Sequence, residues 1–247
     1  MQIELATLTK YGSHKLMRKL SFLIFLSPFF ALAQPDSSFS YQTLFAALSS
    51  KDINESIYNG KQHLGYPSSI IGNPYYQTQD WQHGSIIYHD IFYPDIVLKY
   101  DLVQNEIIIK HEESAIAIEL FTPWLKSFSM SGKKFFLSPG NDKSLPPFGI
   151  YEEIITGKIN LYIYRSRYIK ETIRGTELDR HFEVSDLYYA VKDGHCYSIK
   201  KPKALWHLVI KKKSEIKKDL KRNDLRLRND YEAVVTEIIS YYNKTTR

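Results

Sequence analysis

A chain of 247 residues, 43% hydrophobic and 24% charged, carries enough apolar surface for a folded core and too little charge for a disordered polymer. A single cysteine excludes an intrachain disulfide, so stability must come from packing. The formal charge of +6 is unevenly placed: residues 34–199 hold 15 Lys/Arg against 20 Asp/Glu, whereas residues 200–247 hold 14 against 6, which makes the body mildly acidic and the C-terminal segment strongly basic.

The first element is an export signal. Arg18 and Lys19 form a basic start, Leu20 to Phe30 an apolar run, and Ala31-Leu32-Ala33 a small-residue cleavage site. Residues 1–33 are therefore expected to be a signal peptide with its start at Met17, and Gln34 the new N-terminus. An eleven-residue apolar run falls short of the ~20 residues that span a bilayer, so no transmembrane span is expected after cleavage. This places the protein in the periplasm or the extracellular space.

Residues 34–247 then read as a single domain. Tyr41, Leu44, Phe45 and Leu48 form one stripe of a short helix, Ser40 to Ser50. Asp52-x-x-Glu55 offers a cap for a second helix. Residues 59–84 are rich in Gly and Pro and predict a loop, packed down by Tyr66, Tyr75, Tyr76 and Trp81.

From Ser85 to about Lys200 the pattern is β. Val97 to Lys110 reads as a hairpin around Gln104-Asn105, and Ile116, Ile118 and Leu120 alternate. Turns are expected at Ser131-Gly132, Thr156-Gly157-Lys158 and Asp193-Gly194; the last suits the positive φ of a type I′ turn. Pro139–Pro147 and Lys170–Arg180 read as linkers. Leu205, Leu208 and Val209 open a helical stripe that Ile216 and Leu220 extend. After a capping-box-like Asn229-x-x-Glu232, the residues Tyr231, Val234, Val235, Ile238, Ile239 and Tyr242 make one helical face that needs a partner. The expected fold class is α+β: an antiparallel meander of roughly eight to ten strands, covered on one face by a short N-terminal helix and by C-terminal helices.

Candidate chemistry is sparse. His83 and His89 share parity, but six residues of strand separate them by ~20 Å. His111 with Glu113 supplies only two ligands, and two ligands do not make a metal site. The pairs Glu112-Glu113 and Glu152-Glu153 would point to opposite faces of a strand, and Asp95 and Asp101 read as solvated edge carboxylates. Cys196, after His195, has no activated-cysteine signature and reads as a small hydrophobe. No G-x-S-x-G, H-E-x-x-H, P-loop or G-x-G-x-x-G occurs, and no cofactor is indicated. Nineteen tyrosines suit a half-buried pleated surface, or an aromatic face for a glycan or lipid.

The most unusual segment is basic. Lys211, Lys212, Lys213, Lys217, Lys218, Lys221 and Arg222 form a candidate patch for an anionic envelope component: lipid headgroups, polysaccharide or an acidic protein. A solvated helix face and complementarity to the acidic body are competing readings of the same lysines. Nucleic acid does not suit an exported protein.

The runs GSIIYHDIFYPDIVLKYDLVQNEIIIK (84–110), GIYEEIITGKINLYIYRSR (149–167) and YYAVKDGHCYSIKKPKALWHL (188–208) resemble a family of uncharacterised exported proteins of Bacteroidota. The resemblance implies an envelope location and one domain, and brings no activity, cofactor or catalytic residue. The leading functional expectation is a non-enzymatic binding or structural protein of the cell envelope. The alternatives are a carrier for an apolar or lipid ligand and a hydrolase with a loop-assembled site.

Overall fold

Two-residue turns set the architecture. Three hairpins close through consecutive left-handed residues: His89 and Asp90 (φ 51° and 62°), Ser131 and Gly132 (51° and 68°), Asp193 and Gly194 (50° and 74°). Such turns match the natural twist of the strands they join. A computed structural model describes residues 57–111, 113–114, 116–140, 145–146, 148–226 and 230–246. The expected signal peptide, the Ser40–Ser50 helix and the Asp52–Glu55 helix start lie outside them.

The strands are β1 (Lys61–Gln62), β2 (Ile70–Ile71), β3 (Gln82–Tyr88), β4 (Ile91–Asp101), β5 (Glu106–Lys110), β6 (Ala117–Glu119) and β7 (Leu125–Met130). They continue as β8 (Lys133–Ser138), β9 (Gly149–Ile155), β10 (Ile159–Tyr164), β11 (Arg167–Arg174), β12 (Glu177–Val184), β13 (Leu187–Lys192) and β14 (His195–Ser198). An eleven-stranded sheet runs β1-β6-β5-β4-β3-β7-β8-β9-β10-β13-β14, all its pairs antiparallel. The chain runs from β3 out to β6, then returns to place β7 against the free edge of β3. A second, three-stranded sheet is β11-β12-β2. Helix α1 (Lys213–Arg222) and helix α2 (Tyr231–Thr245) follow, so the α+β meander with C-terminal helices is the observed architecture.

One sheet face carries the core. Register places Ile86 opposite Phe128, Phe128 opposite Phe135, and Phe135 opposite Glu152. The Phe128 and Phe135 rings stack with centroids 4.5 Å apart. Further along the same face, Leu161 and Ala190 meet Val234, Val235, Ile238 and Ile239 of α2, all fully buried. The helical face read from the sequence is thus the one that packs. Asn243 fastens the far end of α2: its side chain accepts from the Ile159 N–H at 3.0 Å and donates to the Ile159 carbonyl at 2.8 Å.

Two expectations need correction. Lys170–Arg180 is no linker: it lies within the β11–β12 hairpin, in which Arg167 to Arg174 pair with Glu177 to Val184. This ribbon is largely solvent-exposed, with Ile173 76% and Leu178 48% accessible, so it lacks the apolar alternation that marks a half-buried strand. Asp101 is not a solvated edge carboxylate. It is 1% exposed and accepts from the Tyr66 hydroxyl and the N–H groups of Val103 and Gln104.

Candidate functional site

The basic patch begins at a 3-10 turn, Ile210–Lys212, and continues along α1. Ile216, Asp219 and Leu220 form the buried face of the helix. Lys217, Lys218, Lys221 and Arg222 are exposed on the other side, whereas Lys213, at i−3 from Ile216 and i−7 from Leu220, borders the buried face and is half-buried. The ion pairs found are local: Lys212 with Glu215 at 3.1 Å and Arg222 with Asp219 at 2.5 Å. Lys211, Lys213, Lys218 and Lys221 have no carboxylate partner among the described residues. Among the described residues no ion pair joins this patch to the acidic body.

Two apolar features border the lysines. Ile210, at the turn leading into α1, is 68% exposed. Trp206 lines a groove of about 450 Å3 together with Lys217, Leu220, Lys221, Asp224, Leu225 and Arg226, and Lys217 Nζ lies 6.0 Å from the Trp206 ring centre. A tryptophan beside lysine stems, with an exposed isoleucine near them, combines charge with surface that water solvates poorly.

A second polar centre surrounds Arg165, just after β10. Its Nε donates to Glu152 at 2.7 Å, Nη1 to Asp186 at 2.8 Å and to Glu232 at 2.7 Å, and Nη2 to Glu232 at 2.8 Å. Burial disfavours the charge on Arg165, yet these carboxylates outweigh it and its pKa is raised. Glu232 is also opposed by burial, but the Arg165 hydrogen bonds hold its pKa down. Tyr76 donates to Glu152 at 3.1 Å and Tyr188 to Glu232 at 3.0 Å. Glu232 thereby ties the first turn of α2 to the sheet; Asn229, the other half of the expected capping box, lies outside the described residues.

A third feature is a cleft of about 580 Å3 beside β5 and β6, lined by Lys61, Glu106, Glu119, Phe121, Thr122 and Phe148, among others. Glu119 accepts from Lys61 Nζ at 3.1 Å and pairs with His63 Nδ1 at 2.9 Å; His63 Nε2 meets the Tyr75 hydroxyl at 2.9 Å. Burial raises the Glu119 pKa, but the His63 and Lys61 hydrogen bonds prevail and lower it. Glu106 has no hydrogen-bond partner among the described residues, and desolvation, then the Glu119 charge, raises its pKa. The buried Thr122 hydroxyl is likewise unpartnered.

The other sequence candidates are dispersed. His83 pairs with Asp95 at 2.8 Å, whereas His89 stacks on Trp124 at 4.8 Å. His111 Nδ1 accepts from the N–H groups of Glu113 and Ser114. Glu152 and Glu153 point to opposite faces, as strand neighbours must; Glu112 lies outside the described residues. Cys196 packs with Tyr151 and Tyr189 on the face away from α2. No group of three or more metal-capable side chains occurs among the described residues. Sequence reasoning missed Arg165, Asp186, His63 and Glu119 altogether, because each meets partners that only the fold brings near.

Comparison with protein-family models, with curated proteins and with solved structures found no match.

Proposed function

We propose that this is a non-enzymatic, exported envelope protein that binds the surface of an anionic membrane through the basic face of α1. The observation that carries the reading is the set of exposed lysines Lys211, Lys217, Lys218 and Lys221, without a carboxylate partner among the described residues, near Ile210 and Trp206. Lysines near an anionic surface contribute about 1 kcal/mol each, and a partly inserted aliphatic side chain adds burial that is independent of salt. Among the described residues no helix is long and apolar enough to cross a membrane. Lipid headgroups are preferred to polysaccharide because Ile210 offers nothing to a hydrated sugar chain. Cosedimentation with vesicles tests this: binding to vesicles containing phosphatidylglycerol, none to phosphatidylcholine alone, and a weaker interaction for Ile210→Ser. Equal binding to both vesicle types contradicts it.

A second reading, a hydrolase, has one observation in its favour. Glu106 and Glu119 line one cleft, and their pKa values move in opposite directions, the arrangement that separates a general acid from a carboxylate held ionised. On this reading the protein hydrolyses some member of a nitrophenyl glycoside panel and Glu106→Gln abolishes the turnover. A panel without turnover removes the reading.

A further inference from the structure

The cleft beside Arg165 also holds two cationic side chains, Arg167 and Lys133, with no hydrogen-bond partner among the described residues. It is about 320 Å3 in volume and is lined by Tyr76, Gln77, Leu102, Lys133, Glu152, Arg165, Arg167, Val184, Asp186 and Glu232. The three carboxylates are already engaged. Glu152 accepts from Arg165 and Tyr76, Asp186 from Arg165 and the Ser166 N–H, and Glu232 from Arg165 and Tyr188.

Arg167 is different. It opens β11, anchored by its own N–H on the Leu102 carbonyl at 2.8 Å, and it is half-buried. Its guanidinium makes no hydrogen bond or ion pair among the described residues. Desolvation lowers its pKa, and the Asp186 charge only partly opposes this. Lys133 also lines the cleft without a hydrogen-bond partner among the described residues. A half-buried guanidinium with no protein acceptor among the described residues keeps its five donors open to whatever enters the cleft.

We propose that this cleft binds the carboxylate group of a small organic acid, which Arg167 grips through its planar fork while Lys133 adds a second charge. The apolar body of the acid lies against Leu102, Val184 and the Tyr76 ring. Arg165, Arg167 and Lys133 balance Glu152, Asp186 and Glu232, so the cleft by itself has no net charge; an acid with one carboxylate leaves it at −1 and a dianion at −2, which the three carboxylates oppose more strongly. A forked donor facing two coplanar oxygens is also the geometry that Arg provides and Lys does not.

The test uses the full chain with benzoate as the probe, and benzamide and inorganic phosphate as controls, followed by the Arg167 Nε–Hε signal in 15N NMR. Benzoate should shift that signal saturably, benzamide should leave it unmoved, and phosphate should bind more weakly than benzoate. Arg167→Gln should weaken benzoate binding by about tenfold, equivalent to about 1.4 kcal/mol, as measured by calorimetry. Arg167→Lys, which keeps the charge and loses the fork, should recover little of it and serves if the Gln variant folds poorly. A Lys211→Gln/Lys212→Gln/Lys213→Gln variant should bind benzoate as the wild type does, which separates this cleft from the α1 patch. No shift in the wild type, or unchanged affinity in the Arg167 variants, overturns the proposal. Tighter binding of phosphate than of benzoate also overturns it, because the site would then select charge and not the carboxylate.

Discussion

Arg165 and Glu232 face each other through two parallel hydrogen bonds of 2.7 and 2.8 Å, which join the strand end after β10 to the first turn of α2. The same guanidinium reaches Glu152, which is 1% exposed. Removing it would leave a buried carboxylate without its counter-charge. Arg165→Met is therefore expected to cost about 3–5 kcal/mol, the usual consequence of breaking one side of a buried pair. Urea unfolding checks this. Arg165→Lys should recover only part of the loss, since an ammonium cannot serve three carboxylates at these angles.

Glu119 gives a pH-dependent contribution. Its pKa in the folded protein lies below that of the unfolded chain, because the His63 and Lys61 hydrogen bonds outweigh burial. The stabilisation is therefore present above the unfolded carboxyl value of about 4.3 and is lost as pH falls through the folded value. Glu119→Gln should lower stability by about 1–3 kcal/mol at pH 7, and the gap to wild type should close on acidification. Paired denaturation curves at pH 7 and pH 3 measure it.

Glu237 behaves in the opposite sense. Burial, then its contact with Asp219, raises its pKa in the folded state. A raised carboxyl pKa means the folded form holds its proton more tightly, so stability falls as pH rises through the unfolded value and on to the folded one. Glu237→Gln should raise the melting temperature at pH 7 and leave it nearly unchanged below pH 4. An equal effect at both pH values would show that the ionised carboxylate is not the cause.

How far the sequence carried the fold depended on whether one face was dry. The α2 stripe of Val234, Val235, Ile238 and Ile239 was legible because it packs on Leu161 and Ala190. Turns at Ser131-Gly132 and Asp193-Gly194 were legible because their residue types tolerate the positive φ they adopt. The β11–β12 ribbon was not, since most of its side chains meet water and leave no periodicity. The Arg165 and Glu119 centres were invisible for another reason. Arg165 meets Glu232 across 67 residues and His63 meets Glu119 across 56, and single ionisable residues carry no spacing signal. The lysine patch was legible as composition, but only the fold brings Trp206 to Lys217 and shows that Ile210 is exposed.

If the lysines of the α1 segment serve an anionic membrane and not the protein's own body, one variant shows it directly. Lys211, Lys212, Lys213, Lys217 and Lys218 are replaced together by Gln, and vesicle binding and melting temperature are measured side by side. Exposed charges contribute little to stability, so the melting temperature should stay within about 2 °C of wild type. Binding to phosphatidylglycerol vesicles should be lost, and wild-type binding should weaken steeply as salt shortens the Debye length from about 10 Å at 0.1 M to about 3 Å at 1 M. A variant that still binds the vesicles, or one that melts much lower with a loss that shrinks in high salt, would contradict the account.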